Sequence, residues 1–590
     1  MQSTRVAILG VDVGGTFTDA VLFDGGTVRT AKVPTAARQE ESVLAAARAV
    51  GATHVERSAL NVERFAHGTT VATNALLERR GARTAFVGNA GFEHLLHLRR
   101  QTRAHLYRLC APQPEPLVPL ERCHGVQGRL GPDGELEALD LSTLPDIGDA
   151  EAVAVCLLFA FRDARHESTV ADELRLRHPG VHVVASHEVA PEFREYDRAS
   201  TTTADAYLVP VSARYLRALA GAAHEGGLPE PLVMLSSGGV ATVTEASAHP
   251  ATILVSGPAA GVVGAGLVAR RAGFENAIAF DMGGTSTDVC LLPGGRAARV
   301  AERVVGGLPI RLPTVDLHTV GAGGGSLVRV DAGGAIRVGP ESAGAQPGPA
   351  CYGAGGGATV TDANLLLGRL PAELPGGLHL DRDAAARAFA KIDPQSAIDV
   401  VNAEMLRALR VVSVERGHDP RDFALVAFGG AGPLHACALA EELGIEAVLV
   451  PAAAGVLSAL GLVAGDERRD RVVSYLCPLA DAGELPAEGT VDLRYRGQSF
   501  ELSVPLQPQL AQAFHRAHDE RYGYADESRE IELVAVRTAD VVPGPDITFG
   551  TAAPERVTGP AVLELAGATC WVPDGWHGET NDDGTMVLTR

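Results

Sequence analysis

The sequence contains 590 residues, of which 46% are hydrophobic, and carries a formal net charge of −21. This length predicts two to four domains, each with enough apolar residues to bury a core. The acidic charge argues against nucleic acid as the main partner, because phosphate binding requires a dense basic surface. The eight cysteines include no Cys-x-x-Cys pair, so neither a disulfide framework nor a zinc knuckle is expected.

The sequence predicts a cytoplasmic protein that does not enter a membrane. Residues 1–14 lack the long apolar run and the cleavage site of a signal peptide. Residues 447–465 carry no charged side chain, but proline and glycine interrupt the stretch. We therefore expect residues 447–450 to form a buried strand and residues 455–463 a small-residue helix, instead of a membrane span.

An internal repeat is the most informative feature of the sequence. Residues 12–26 align without gaps to residues 281–295, and nine of the fifteen positions are identical. Each copy contains Asp-x-Gly-Gly-Thr-x-Thr-Asp and follows an apolar run, at residues 6–11 and 277–280. A second apolar run follows each copy, so both predict a strand, a glycine turn and another strand. Duplicated lobes are the simplest explanation.

Elsewhere, strand-like apolar runs alternate with segments whose apolar residues recur every three or four positions. This alternation is typical of α/β lobes. The predicted helices cover residues 41–50, 70–80, 197–219, 257–271, 397–416 and 433–443. We expect the third of these to break or kink at Pro210.

The character of the sequence changes near Cys477. Strict alternation of apolar and polar residues at 491–495 and 500–504 predicts a β-rich C-terminal domain with one helix at residues 508–522. The predicted domains are residues 1–200 for the first lobe, 201–475 for the second lobe and 476–590 for the β-rich domain.

The repeated turn has the composition of a phosphate-binding loop. Glycines allow backbone N–H groups to approach phosphate oxygens, and threonine hydroxyls add donors. The carboxylates of Asp12 and Asp281 could hold a hydrated Mg²⁺ ion or orient the attacking group. The residues predicted to bind nucleotide here are Gly14, Gly15, Thr16, Thr18, Gly283, Gly284, Thr285 and Thr287.

Two such hairpins around one nucleotide resemble the superfamily of actin-like ATPases, sugar kinases and heat-shock ATPases. The resemblance implies an α/β fold with two duplicated actin-like (ribonuclease H-like) lobes, which bind ATP and Mg²⁺. It also implies a loop for adenine and ribose, for which Gly429 and Gly430 are the candidates. Two small-residue helices should cross at a hinge between the lobes, at residues 256–264 and 454–461.

Further motifs resemble the hydantoinase A/5-oxoprolinase family. They lie at residues 67–75 (HGTTVATNA), 99–103 (RRQTR), 193–202 (FREYDRASTT), 316–326 (DLHTVGAGGGS), 346–353 (QPGPACYG) and 361–364 (TDAN). The resemblance implies that the γ-phosphoryl group of ATP passes to the oxygen of a lactam or an enolised ketone. A separate hydantoinase B-type subunit usually completes the reaction, so a hetero-oligomer is also implied.

Asp316 and His318 are the most distinctive polar pair in these motifs. Their i, i+2 spacing would place both side chains on one side of an extended segment. They could bind a second divalent metal or polarise the substrate oxygen. His67 could do either from the first lobe, although an isolated histidine is more often structural. Gly323 and Gly324 are predicted to approach the nucleotide.

Other motif residues have two possible roles each. Arg99, Arg100 and Arg103 could hold a carboxylate or imide oxygen of the substrate, or form a solvated helix face. Asp362 could contact ribose or cap a helix. Cys351 is predicted to pack in the core, because no base lies near it in the sequence.

Three functions are compatible with the sequence. The first is an ATP-dependent hydrolase subunit acting on a hydantoin, 5-oxoproline or another lactam, and the second is the ATP-binding subunit of a ketone carboxylase. The third is a non-catalytic actin-like nucleotide switch. The polar element around Asp316 and His318 argues against a switch, whereas the two enzymes share every motif.

Overall fold

A computed structural model describes residues 7–53, 61–108, 110–344, 346–374, 378–547 and 555–590. Val6, at the start of the first predicted apolar run, lies outside these ranges. None of the helices within these ranges is both long and apolar enough to cross a bilayer.

The N-terminal half of the chain builds a sheet around its glycine hairpin. Strand Ala7–Val13 is almost entirely buried, as expected for a central strand covered on both faces. It pairs antiparallel with Phe17–Asp24, which pairs in turn with Thr27–Pro34. On its other side it pairs parallel with Val62–Thr69, followed by Leu232–Met234. We call this unit the first lobe.

A second sheet repeats this topology. Ala277–Met282 pairs antiparallel with Thr287–Leu292, which pairs antiparallel with Leu317–Val320. On the other side lie the parallel strands Ala424–Phe428 and Ala447–Val450, the latter at the predicted position. We call this unit the second lobe. Because both lobes share one strand order and one opening hairpin, the predicted α/β class with duplicated actin-like lobes is confirmed.

The C-terminal region is rich in strands, as predicted, but these strands extend the two lobes instead of forming one sheet of their own. Glu467–Pro478, Ile531–Val542, Thr490–Tyr495 and Leu502–Pro505 continue the first sheet, whereas Met586–Thr589, His577–Thr580 and Arg556–Thr558 continue the second. The physical reason is that the lobes would otherwise expose unpaired edges at Val240–Thr242 and Ala447–Val450. The predicted division at residue 476 therefore does not separate two sheets.

An insertion in the first lobe forms a third sheet. Its strands, in spatial order, are Gly134–Asp140, Cys123–Gly131, Thr84–Asn89, Ala152–Val155 and His182–Ala185. Five smaller strand pairs are described: Arg299–Val300 with Thr314–Val315, Arg303–Val305 with Leu308–Ile310, Ser326–Val330 with Ile336–Ser342, Glu373–Leu374 with Leu378–His379, and Ala561–Leu565 with Ala568–Val572.

Helices cover the sheets. Their described bounds are Gln39–Ala49, Val71–Leu77, Leu95–Leu98, Arg165–Arg177, Ser186–Val189, Glu195–Glu225, Val243–Ala248, Ser256–Arg271, Val360–Leu366, Arg382–Ala388, Pro394–Val412, Gly432–Leu443, Leu457–Val463 and Leu510–Tyr522. Helix Glu195–Glu225 continues through Pro210 without the predicted break. The predicted boundary at residue 200 falls inside this helix, and strands as late as Thr242 still belong to the first sheet.

Helices Ser256–Arg271 and Leu457–Val463 cross at close range, as their small residues predict. A Cβ atom on Gly461 would lie 1.9 Å from the carbonyl oxygen of Ala260, and one on Gly264 would lie 2.7 Å from that of Leu457. Only glycine therefore allows the two helices to approach this closely.

Candidate functional site

The two glycine turns have the same backbone geometry. In the first hairpin the N–H of Gly14 donates to the carbonyl oxygen of Phe17 at 3.0 Å. In the second hairpin the N–H of Gly283 donates to that of Ser286, also at 3.0 Å. The duplicated sequence therefore produces a duplicated turn.

The threonines of the two turns divide into an outer and an inner pair. Thr16 and Thr285 are exposed, so their hydroxyls are open to a ligand. Thr18 and Thr287 are fully buried, and the Thr287 hydroxyl already donates to the carbonyl oxygen of Ala322 at 2.6 Å. Of the four threonines predicted to bind nucleotide, the geometry thus favours the outer pair, and the inner pair anchors the hairpins.

Four aspartates line the hairpins in two cross-strand pairs. Asp12 lies directly opposite Asp19, and Asp281 directly opposite Asp288. Residues paired in this way point to the same face of a sheet. The two pairs also share one electrostatic field, because Asp12 contributes to raising the pKa of Asp281. Asp12 and Asp281 therefore lie close enough for their charges to interact, and we call these four aspartates the acidic surface.

Burial dominates the acid–base properties of Asp12 and Asp281, which open the two repeats and which we call the leading aspartates. Burial and the neighbouring Asp19 raise the pKa of Asp12 to about 7. Burial, Asp288 and Asp12 raise the pKa of Asp281 to about 8. Carboxyl groups with such pKa values are poised to bind a cation, which removes the cost of their negative charge.

A glycine makes room for each leading aspartate. A Cβ atom on Gly68 would lie 2.3 Å from Oδ1 of Asp12, and one on Gly429 would lie 2.3 Å from Oδ1 of Asp281. Gly429 thus packs on the carboxylate in addition to belonging to the predicted adenine loop. Gly430, the next residue of that loop, is exposed with nothing within 4 Å of an added Cβ.

The residues present fit Mg²⁺ held chiefly by phosphate and water. Oδ1 of Asp12 is buried and has no hydrogen-bond partner among the described residues, so it has an unused acceptor. No group of three or more His, Cys, Asp or Glu side chains in the described ranges could enclose a metal ion. Proteins commonly bind Mg²⁺ through one or two carboxylates plus substrate phosphates, which matches this arrangement.

Lys32 also lies on this surface, although it belongs to none of the sequence motifs. Its Nζ donates to Oδ1 of Asp19 at 2.5 Å and to the carbonyl oxygen of Gly455 at 3.1 Å. It also lowers the pKa of both Asp12 and Asp281, against the larger effect of burial. The signal in the sequence was its position on the strand after the hairpin, where it pairs with Asp19.

Gly323 and Gly324 support the second hairpin from behind. The N–H of Gly324 donates to the carbonyl oxygen of Gly283 at 2.9 Å. A Cβ atom on Gly323 would lie 2.8 Å from that same oxygen. These contacts favour a buttressing role over the direct nucleotide contact that the sequence predicts.

The second sheet separates His318 from the acidic surface, and Asp316 precedes the strand that carries it. Thr319 lies opposite Asp288 and donates to its Oδ1 at 2.5 Å, so these two residues face the same way. His318, the next residue, therefore points to the other face. Both carboxylate oxygens of Asp316 bind Arg416. This geometry does not bring the pair to the hairpins, and it favours an ion-pair role for Asp316 over a metal ligand.

His67 is enclosed in the first lobe. Its Nδ1 donates to the carbonyl oxygen of Val11 at 3.0 Å, and its Nε2 accepts from the Tyr215 hydroxyl at 2.8 Å. Burial lowers the pKa of His67 to about 4, so the ring is neutral. With both nitrogens occupied, the geometry favours the structural role over the predicted catalytic one.

The remaining ambiguous residues have structural contacts. Asp362 caps helix Val360–Leu366 together with Thr359, and it also accepts the N–H of Cys351 at 2.7 Å. Arg100 forms an ion pair with Asp197 at 2.5 Å. These contacts favour the cap for Asp362 over ribose binding.

Comparisons with known proteins agree with this architecture. The model of the hydantoinase/oxoprolinase N-terminal region matches residues 8–177, and that of hydantoinase/oxoprolinase matches residues 198–471. Caprolactamase subunit alpha from Pseudomonas jessenii is 32% identical over 98% of this chain and 99% of its own. The crystal structure of ATP-dependent caprolactamase from Pseudomonas jessenii superposes with a TM-score of 0.86 at 31% identity, covering 98% of this chain and 99% of that one. The nucleotide-free structure of acetone carboxylase superposes with a TM-score of 0.78 at 25% identity, over 99% of both chains. This chain belongs to the hydantoinase/oxoprolinase family, as its motifs predicted.

Proposed function

We propose that this chain is the ATP-using subunit of a cyclic-amide hydrolase. It transfers the γ-phosphoryl group of ATP to the carbonyl oxygen of a hydantoin, 5-oxoproline or another lactam. The observation that carries this proposal is the pair of matched hairpins, whose open backbone and outer threonines lie beside the buried carboxyls of Asp12 and Asp281. Kinship with a caprolactamase, which aligns nearly from end to end, supports a lactam substrate.

The hairpins would bind the phosphates of ATP in three ways. The backbone N–H groups at Gly15 and Gly284 and the hydroxyls of Thr16 and Thr285 donate to phosphate oxygens. Asp12 and Asp281 would hold Mg²⁺, which neutralises charge on the transferring group. Crossing glycine-rich helices let the two lobes close and align donor with acceptor.

Phosphorylation solves a chemical problem that an amide poses. An amide carbonyl carbon is a poor electrophile because the nitrogen lone pair is delocalised onto it. Once the oxygen carries a phosphoryl group, water can attack the carbon and the ring C–N bond breaks, which leaves an acyl phosphate. A second water then attacks the acyl carbon, so phosphate leaves with the former carbonyl oxygen and both carboxylate oxygens come from water. The protein contributes alignment and charge neutralisation to the first step.

A second subunit completes the reaction in this proposal. The names of two relatives, caprolactamase subunit alpha and acetophenone carboxylase gamma subunit, describe parts of larger enzymes. We infer a hetero-oligomer with a hydantoinase B-type partner that hydrolyses the phosphorylated amide, working in the cytoplasm.

A ketone carboxylase subunit is the second candidate function. The likeness to acetone carboxylase, with a TM-score of 0.78, favours it. The same hairpins could then phosphorylate an enolised ketone. Since both candidate functions use these hairpins as the phosphoryl donor site, only the acceptor distinguishes them.

Phosphate release from ATP by the co-expressed complex tests the proposal. We expect a cyclic amide to accelerate release, and Asp281→Ala to abolish the acceleration. Asp172→Ala is the matched control, because that carboxylate is 74% exposed on helix Arg165–Arg177. Acceleration by ketones plus bicarbonate alone would establish the carboxylase. If no acceptor accelerates release and Asp281→Ala matches wild type, the catalytic proposal fails.

A further inference from the structure

A lysine lies on the acidic surface at the first hairpin. Lys32 lies directly opposite Asp19 on the neighbouring strand, so both side chains share the face that carries Asp12. Its ammonium group donates to Asp19 and to the carbonyl oxygen of Gly455. It also lies 5.5 Å from the centre of the Phe17 ring, at the tip of the first hairpin.

The position of Gly455 connects this lysine to the second lobe. The preceding residue, Ala454, accepts the N–H of Gly429 at 3.0 Å. Gly429 in turn packs against the carboxylate of Asp281. Lys32 therefore reaches from the third strand of the first lobe to residues 454–455, which hold the Gly429 loop of the second lobe.

The choice of lysine at this position is unusual for the chain. Of the 51 basic residues, only Lys32 and Lys391 are lysines. In the described ranges, Lys32–Asp19 is also the one ion pair with a carboxylate that uses lysine. Arginine presents a broad planar fork, whereas lysine presents a compact ammonium with three donors. A sequence that uses arginine almost everywhere has an ammonium here, where space is limited by Asp19, Gly455 and Phe17.

The hydrogen-bond count leaves this ammonium with unused capacity. Two of its three donors bind Asp19 and Gly455, and the third has no partner among the described residues. The side chain of Lys32 is 30% exposed, so a ligand can reach it. An anionic oxygen is the natural partner for a third ammonium donor.

We propose that Lys32 contacts the terminal phosphates of the nucleotide, and that Asp19 and Gly455 hold it in position for this contact. The inference rests on the proposed function, because it assigns one more residue to the same site. The bound nucleotide would receive a third hydrogen bond from Nζ, which offsets the repulsion between phosphate and the four surrounding aspartates.

Lysine-directed labelling with an acyl phosphate derivative of ATP tests the contact without requiring turnover. The reagent transfers its acyl group to an amine beside the phosphates. With two lysines in the chain, peptide mapping gives a simple answer. We expect the Lys32 peptide to be labelled and to be protected by ATP, whereas labelling of Lys391 should be weak and insensitive to ATP. If a fluorescent ATP analogue binds but Lys32 is unlabelled or unprotected, the inference fails while nucleotide binding stands. If no nucleotide binds, the proposed function itself fails.

Binding measurements on variants separate a phosphate contact from a structural role. Lys32→Met should weaken ATP binding about tenfold to a hundredfold, as expected for a charge-assisted hydrogen bond. The same variant should bind Mn²⁺ alone more tightly, because a positive charge has left the acidic surface. Lys391→Met is the matched control and should leave both affinities unchanged. An equal loss of ATP and Mn²⁺ affinity in Lys32→Met would indicate a distorted site and overturn the proposal, as would unchanged ATP affinity.

Discussion

The two lobes share a hairpin but differ at one matched position on the third strand of each sheet. Lys32 is paired with Asp19 in the first lobe, and Thr319 occupies the equivalent place opposite Asp288 in the second. Lys32 supplies a positive charge on the strand itself, whereas Thr319 supplies a hydrogen bond and the nearby positive charge comes from Arg303, which donates to the Thr319 hydroxyl at 3.0 Å. The repeat thus preserves the turn and its carboxylates, and the two lobes draw their nearby positive charge from different strands.

The largest effect should follow from removing either leading carboxylate. If both lobes hold the metal–phosphate unit, Asp12→Asn and Asp281→Asn should each lower kcat for ATP turnover about 100-fold to 1000-fold. Steady-state phosphate release by the complex measures this, with Asp172→Asn as an exposed control. A variant of either residue that turns over at the wild-type rate would show that one lobe suffices.

The glycines behind the carboxylates should be the next most sensitive positions. Gly429→Ala places a Cβ 2.3 Å from Asp281 and forces a side chain onto a residue with φ of +77°, so we expect a loss of about 1–3 kcal/mol in stability. Gly68→Ala meets the same clash with Asp12 without the positive φ, and should lose less. Gly430→Ala is the matched control because its Cβ meets nothing within 4 Å. Thermal unfolding checks the ranking, which would be contradicted if Gly430→Ala were as damaging as Gly429→Ala.

Thr319→Val tests the second-lobe partner directly. Loss of one neutral hydrogen bond to Asp288 should lower kcat/KM for ATP only about threefold to tenfold. The same assay on Lys32→Met should show a larger loss. A reversed order would mean that the second lobe, and not the first, controls phosphate binding.

The pKa values of the leading aspartates predict how stability depends on pH in the nucleotide-free chain. Both values are raised in the folded state, from 3.8 to about 7 for Asp12 and about 8 for Asp281. The folded chain therefore holds these protons more tightly, and the stability they contribute is complete below pH 4 and lost as pH rises towards 8. Asp281→Asn has no carboxyl group to ionise at this position and so avoids part of this loss of stability. The difference in Tm between the variant and wild type should therefore favour the variant more at pH 8 than at pH 5. An advantage that is the same at both pH values would contradict the assigned burial effect.

The smallest effect should come from the pair on the far side of the second sheet. Asp316→Asn and His318→Ala should leave ATP affinity within about twofold of wild type, because His318 faces away from the hairpins and Asp316 is bound by Arg416. Isothermal titration with ATP and Mg²⁺ measures this. A large loss of affinity would show that these residues act at the nucleotide and would contradict this geometry.

Sequence alone could predict the features that depend on local pattern. The repeat and the apolar runs around it gave two matching hairpins, and small residues at Gly264 and Gly461 gave the helix crossing. The features that the sequence could not predict depend on strand register and on contacts between residues far apart in the sequence. Whether His318 faces the hairpins depends on its pairing with Val289, which no local pattern reveals. Gly455, which accepts a hydrogen bond from Lys32, is 423 positions away in the sequence. The positions of the C-terminal strands likewise depend on the open edges of the two sheets, which they extend.

The most direct test of the central claim follows the carbonyl oxygen itself. The co-expressed complex would be given ATP and a cyclic amide labelled with ¹⁸O at the carbonyl, and the released phosphate analysed by mass spectrometry. If the hairpins direct the γ-phosphoryl group to that oxygen, each turnover should leave one ¹⁸O atom in inorganic phosphate. Phosphate without ¹⁸O, with the label retained in the ring-opened carboxylate, would contradict the proposed route, in which phosphate leaves with the amide oxygen.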